Sequence, residues 1–297
     1  MHQRSHYNVY LKLGLVMLLW SGNSIVARAL HEAVPPFTLA LLRWTGAATI
    51  LLPIAWRAVA ADRIAIGRHW RVILLLGVVG VGSFNAFMYS GLQYTTAANS
   101  LLVQAAIPAQ VLLLNYLLFR TAPLPAQIIG CIIAAAGVLV IVFRADPAAL
   151  ASFSFNRGDL LVLCGVVAWS LYTVLLRLRP AIQGASFLLV TFLIGALVMA
   201  PFAIHELQSR DIAITPTSLA GIGYVMIFPS VVSYFLYNDA VQKIGAGNAG
   251  QVINLQPLFG ALLAALILGE SLHPYHMAGM AMILLGIATS FLWARPR

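Results

Sequence analysis

The chain has 297 residues, of which 61% are hydrophobic and 8% charged. A water-soluble domain carries about 25% charged residues, so the composition excludes a soluble globular protein and makes lipid the solvent. The net charge of +9 sits in short segments between apolar runs, which suits the cytoplasmic face of a membrane and not a nucleic-acid surface.

A membrane span needs about 20 mostly apolar residues. Ten such runs follow in order: 10–30, 36–56, 72–92, 99–118, 126–143, 159–176, 184–204, 218–240, 249–268 and 275–293. The breaks carry turn residues or charge: Pro35-Pro36, Arg57 to Arg71, Gln93 to Ala98, Thr121 to Pro125, Arg144 to Gly158, and Gly245-Ala246-Gly247. Arg4, Lys12 and the apolar stretch Leu13 to Trp20 imitate a signal peptide. The matching stretch Leu160 to Arg177 is internal, so the first run is predicted to be a retained span.

The chain repeats itself at an offset of 149 residues. Trp20-Ser21 falls on Trp169-Ser170, Arg28 on Arg177, Gly46 on Gly195, Gln93 on Gln242, Asn99 on Asn248 and Pro108 on Pro257. Pro125, Gly130 and Gly137 fall on Pro274, Gly279 and Gly286. Residues 1–148 and 149–297 are therefore predicted to be two repeats of one structural unit. Five spans per repeat is an odd number, so the second copy enters the membrane from the opposite side. The expected fold is an all-α integral membrane protein of ten transmembrane helices in two inverted five-helix repeats. With the N-terminus inside, twelve of the seventeen Lys and Arg residues fall on the inner side, which predicts both termini to be cytoplasmic. Trp56, Trp70 and Trp293 fall at span ends, where indole rings favour the interface.

Polar groups inside spans cost free energy unless they are paired or face water, so they are the functional candidates. In span 1 these are Trp20, Ser21, Asn23 and Ser24; in span 6, Trp169, Tyr172 and Thr173. Asn85 and Tyr89 share one face of span 3, and Tyr234 and Tyr237 one face of span 8. Gln104 in span 4, and Asn254 and Gln256 in span 9, add amides that both donate and accept; Asn254 and Gln256 share a face only if the helix is broken there. Together these residues describe a neutral, aromatic, amide-rich substrate cavity. Pro108 and Pro257 fall mid-way along spans 4 and 9 at equivalent positions. Each frees a backbone carbonyl, for gating or for a fixed kink. Arg43, embedded in span 2, either anchors a substrate carboxylate, snorkels to the surface, or bonds backbone carbonyls. Asp239 and Lys243, four apart, suit a local ion pair. His273 and His276 near Glu270 suit an interface better than a metal site. No carboxylate is expected at mid-membrane. Cys131 and Cys164 lack metal-motif or disulfide spacing, and no cofactor, metal or catalytic motif is present. One chain suffices to enclose a cavity.

Trp20-Ser21-Gly22-Asn23 in span 1, and Pro36-Phe37 followed by Leu42-Arg43-Trp44 in span 2, resemble the EamA type of the drug/metabolite transporter superfamily. Leu268-Gly269-Glu270-Ser271-Leu272 with Gly279 and Gly286 resembles that family's repeat ending; the first repeat departs from it with Phe119-Arg120-Thr121. The resemblance implies a carrier in the bacterial inner (plasma) membrane that moves small metabolites by alternating access, and not an enzyme. The neutral cavity points to export of apolar or aromatic amino acids. Drugs, sugar derivatives and other metabolites are the alternative cargo, and a membrane-embedded lipid-modifying enzyme the remote one.

Overall fold

The computed structural model describes residues 2–146, 148, 154–268 and 273–292. Among these, every regular element is helical. The first repeat holds α1 (His2–Ala29), α2 (Pro36–Arg68) and α3 (Trp70–Leu76). A π-helical segment, Gly77–Ser83, leads into α4 (Phe84–Gly91). Then come α5 (Ala97–Gln104), α6 (Ile107–Phe119) and α7 (Pro125–Val142). The second repeat holds α8 (Arg157–Leu175), α9 (Gly184–Glu206) and α10 (Pro216–Met226). Its π-helical segment, Ile227–Val232, leads into α11 (Ser233–Gln251), followed by α12 (Leu255–Leu268) and α13 (Pro274–Leu292).

Eight helical stretches among the described residues are long and apolar enough to cross a membrane. The last, Pro216–Leu263, has 48 residues, or about 72 Å at 1.5 Å per residue. That is more than twice the ~30 Å of hydrocarbon. The chain divides it at Gly245, whose φ of 81° and ψ of 157° leave the helical region. Only glycine takes such a conformation at no steric cost.

One expected break is absent. The segment Arg57 to Arg71 does not form a loop; α2 continues to Arg68. Its sequence there, Trp56-Arg57-Ala58-Val59-Ala60-Ala61, is built mostly of good helix formers, and α2 bears exposed Arg57, Arg63 and Arg68. Charge marks where hydrocarbon ends, not where the helix ends. Glu270, Trp293, Arg295 and Arg297 lie outside the described residues.

The halves interleave. α1 packs against α11 and α12 of the other repeat, and α8 packs against α4 and α6. α7 and α13 meet through glycine. A Cβ on Gly137 would lie 2.7 Å from the Gly279 carbonyl oxygen, and one on Gly279 equally close to that of Gly137. Gly130 and Gly286 face each other in the same way. The low number on one helix meets the high number on the other, so α7 and α13 run antiparallel. Small residues allow this approach, which supplies dispersion contact where lipid offers no hydrophobic drive.

α2 and α9 are a second antiparallel pair, clasped at both ends. Glu206 at the end of α9 accepts from Thr38 N at 2.8 Å and from Thr38 Oγ1 at 2.9 Å, in the first turn of α2. Asp62 near the end of α2 accepts from Gln183 N at 3.0 Å and Ser186 Oγ at 2.6 Å, at the start of α9. Each carboxylate satisfies first-turn groups that a helix leaves unpaired and sits at a positive dipole end.

Two predictions follow from this packing. Gly286→Leu should destabilise the protein by about 1–3 kcal/mol through overpacking and lower its thermal midpoint in detergent. Gly14→Ala, where a Cβ would meet nothing within 4 Å and alanine is the better helix former, should not lower the midpoint. Glu206→Gln and Asp62→Asn should each cost about 0.5–2 kcal/mol, the range of a lost helix cap, read by the same melting experiment; an unchanged midpoint in both would show the clasps to be inert.

Candidate functional site

The two π-helical segments occupy equivalent places in the repeats, and both turn a carbonyl toward the centre. Pro229 has no N–H to give the Val225 carbonyl four residues back. Ser230 Oγ donates to that carbonyl instead, at 2.6 Å. Ser83 Oγ and Ser233 Oγ likewise donate five residues back, to Val78 O and Phe228 O. The widened turns leave acceptors free for side chains. Gly80 O accepts from Tyr234 Oη at 2.8 Å. Its offset-equivalent, Pro229 O, accepts from Trp20 Nε1 at 3.0 Å and Arg43 Nη2 at 3.1 Å. π-bulges concentrate at functional sites for this kind of reason.

Arg43 is the centre of the polar network. Its residue exposure is 2%, so the surface-snorkelling alternative is overturned. Nε donates to Ser230 Oγ at 2.6 Å. Nη1 faces three oxygens: Asn85 Oδ1 and Tyr89 Oη at 2.9 Å, and Asn23 Oδ1 at 3.2 Å. Tyr89 Oη donates in turn to Asn23 Oδ1. The guanidinium also lies 4.6 Å from the ring centroid of Trp44. All of these partners are neutral. The repeat turns the pattern around. Where the first half pairs Tyr89 with Asn23, the second pairs Tyr172 with Asn238 at 2.8 Å, with amide and phenol exchanged between the positions. Where the first half has Arg43, the second has Phe192, packed on Trp44 and Tyr234.

Trp20 and Trp169, equivalent residues of the two repeats, meet edge to face with centroids 4.9 Å apart. Tyr237 packs on both, and Tyr234 joins them. Such contacts add about 0.5–1.5 kcal/mol each beyond area burial. Beside this cluster lies a cavity lined by Trp20, Asn23, Ser24, Arg43, Asn85, Gln104, Trp169, Tyr234 and Gln256, all expected from sequence, and by Phe84, Met88 and Ile107, which were not. Its free volume is about 30 Å³, room for about one water. A small-molecule site needs about 300 Å³ or more, so an organic substrate enters only when the walls part.

The remaining candidates stand behind this wall. Ser21 donates to Gln256 O at 2.9 Å, tying α1 to α12. Tyr89 and Tyr172 anchor the two Asn–Tyr pairs, and Thr173 bonds Tyr237 at 3.0 Å. Asn254 is not in the cavity: it is 1% exposed, and neither amide atom has a partner. It borders a closed crevice with Gln104 and Pro257, where the interruptions of the two repeats abut. Those interruptions differ from kinks. α5 ends at Gln104, and α6 begins at Ile107 with Pro108 in its first turn. In the second repeat a 3-10 turn, Val252–Asn254, separates α11 from α12, which carries Pro257 in its first turn. Proline is tolerated at a helix start because the missing N–H would be unpaired there anyway.

Sequence reasoning passed over Pro229, Ser230 and the buried Asp159. A proline within an apolar run, followed by serine, was the available signal. Asp159 is fully buried, with Thr95 Oγ1 at 2.5 Å and Asn156 N at 2.9 Å, in a capping box at the start of α8. Asp239 and Lys243 form the expected pair at 2.8 Å. No group of three metal-ligating side chains occurs among the described residues.

The EamA-like transporter family matches this chain twice, over residues 9–143 and 156–292. Among its relatives, the uncharacterized transporter YyaM of Bacillus subtilis is 24% identical over 96% of this chain and 94% of its own length. An uncharacterized transporter of Archaeoglobus fulgidus is 27% identical over 88% and 89%. One solved crystal structure superposes with a TM-score of 0.74 at 22% identity, covering 97% of this chain and 98% of that one; at that identity the likeness speaks for the fold alone. With a family domain recognisable in each repeat, the chain belongs to the EamA-like transporters, multi-pass membrane proteins.

Proposed function

We propose that this protein is a secondary transporter that moves small amphipathic metabolites, foremost amino acids with apolar or aromatic side chains, out of a bacterial cell by alternating access. The observation that carries the reading is the narrow central cavity, which is walled by both repeats and too small for its cargo in this conformation. A rigid receptor's pocket already fits its ligand, whereas a carrier's two halves part and close around a shared site. The antiparallel pairing of α7 with α13 supports inverted repeats, and ten spans with both termini cytoplasmic accommodate them. The single charged group at the cavity argues against sugar phosphates, which call for several cations. One chain provides both halves of the site.

In this scheme the interrupted helices α5–α6 and α11–α12 are the moving parts. Each can swing about its break without straining a continuous helix, and their breaks abut beside the cavity. The α2–α9 pair, clasped at both ends, is the frame.

The test is exchange of labelled L-phenylalanine by purified protein in proteoliposomes preloaded with unlabelled amino acid. Saturable exchange inhibited by other apolar amino acids supports the reading. Flux proportional to concentration without saturation, or single-channel currents in planar bilayers, would replace it with a pore. Pro108→Ala and Pro257→Ala should repair the breaks, and so lower the maximal exchange rate several-fold while leaving half-saturation nearly constant. If both variants exchange at the normal rate, the breaks do not gate.

A further inference from the structure

The central cavity carries a full positive charge and no negative one. Of the acids among the described residues, none lines it. Asp62 and Glu206 are engaged in the helix clasps, Asp159 in its capping box, and Asp239 with Lys243. A buried charge left without a counter-charge is costly, and breaking such pairs in proteins is strongly destabilising. Arg43 is held in place by neutral oxygens, and no counter-charge among the described residues reaches it.

The guanidinium is arranged to receive one. Nη2 bears two N–H groups and meets one acceptor, Pro229 O. Nη1 bears two and is shared among three, the longest at 3.2 Å to Asn23. An incoming carboxylate can take the spare Nη2 hydrogen and displace Asn23 from Nη1, forming the two parallel bonds that arginine and carboxylate favour. A released Asn23 amide still has Tyr89 Oη to accept from. Trp20 and Trp169 border the same cavity and offer ring surface to an apolar body. Nothing equivalent awaits an ammonium group. The lining holds no carboxylate for it, and Arg43 repels it.

We propose, on the basis of the carrier reading above, that the site selects organic monocarboxylates with an aromatic or aliphatic body. Arg43 takes the carboxylate, the Trp20–Trp169 pair takes the body, and a substrate's amino group is dispensable. Amino acids are then one subset of the cargo.

Three probes share a skeleton: 3-phenylpropionate, L-phenylalanine and phenethylamine. Titration calorimetry on the purified protein in detergent should show the two carboxylates binding and the amine at least about 30-fold weaker, the scale of a lost buried charge pair. Arg43→Gln should weaken both carboxylates by a similar factor and leave phenethylamine unchanged, with its ligand-free thermal midpoint reporting that it is folded. Where Arg43→Gln does not fold, Arg43→Lys carries the test: it keeps the charge but not the fork, and should bind 3-phenylpropionate at least about tenfold more weakly. Equal binding of amine and carboxylate, carboxylate binding unchanged in a folded variant, or no carboxylate binding by wild type would each overturn the proposal. Binding of 3-phenylpropionate without any exchange of L-phenylalanine would sink the amino-acid reading and leave the anion anchor standing. Normal L-phenylalanine exchange by Arg43→Gln would do the reverse.

Discussion

A guanidinium cannot sit in hydrocarbon without oxygen around it, and much of the centre of this protein is an answer to that constraint. Arg43 is held by α2, but its oxygens come from α1, α4 and the π-helical segment before α11. One side chain thus ties together helices from both repeats. The π-helical turn at Pro229 exists because proline withholds an N–H, and that turn supplies Arg43 with both a carbonyl and the Ser230 hydroxyl. A local defect in helix geometry becomes the seat of the one charged side chain at the cavity wall among the described residues. The cost of solvating that charge inside the membrane is a reason for the site to be polar, and it also restricts what can bind there.

Around this centre, some helix pairs are tightly joined and others are interrupted. α7 with α13 and α2 with α9 are antiparallel pairs joined by backbone contact in the first case and by carboxylate clasps in the second. Both kinds of join tolerate little sliding. α5–α6 and α11–α12 are interrupted where they meet, and the buried Asn254 amide there has no partner in this arrangement. A polar group left unsatisfied in a packed interior costs about 1–3 kcal/mol, so the junction is a place where the packing leaves hydrogen-bonding capacity unused.

Most of the apolar runs read from the sequence begin within a few residues of a helix start, because hydrocarbon thickness imposes a length that composition alone reveals, but the runs 218–240 and 249–268 fall in a single helical stretch, Pro216–Leu263. The repeat was equally legible: the matched Trp20 and Trp169 meet beside the cavity, Pro108 and Pro257 follow abutting breaks, and the matched glycines of α7 and α13 meet along their seam. The end of α2 was misread, since charge reports the membrane boundary and helix propensity reports the helix boundary. The π-helical segments were not legible. Their signature is a hydrogen-bond pattern that glycine in one repeat and proline in the other reach by different routes, so no shared residue marks them. Of the candidate residues, those on α1, α2, α4 and α8 lie at or directly behind the cavity wall, because in those helices one face decides the outcome. Asn254 and Gln256 could share a face only across a broken helix; the break is there, as the 3-10 turn Val252–Asn254, and it sets Gln256 at the cavity and Asn254 at the neighbouring crevice.

The broken equivalence of Arg43 and Phe192 bears on how such a chain can arise. Two identical repeats paired antiparallel would bring two guanidinium groups to the same small space in hydrocarbon, each repelling the other. A symmetric ancestor could therefore carry arginine at this position only by keeping its halves apart or its cavity wet. Joining the repeats in one polypeptide lets the copies mutate separately, so that one keeps the cation and the other fills its place with a phenyl ring. The indole of Trp44 is left with unlike neighbours: the Arg43 guanidinium 4.6 Å from its centroid, and, with centroids 5.1 Å apart, the Phe192 ring, which does not line the cavity.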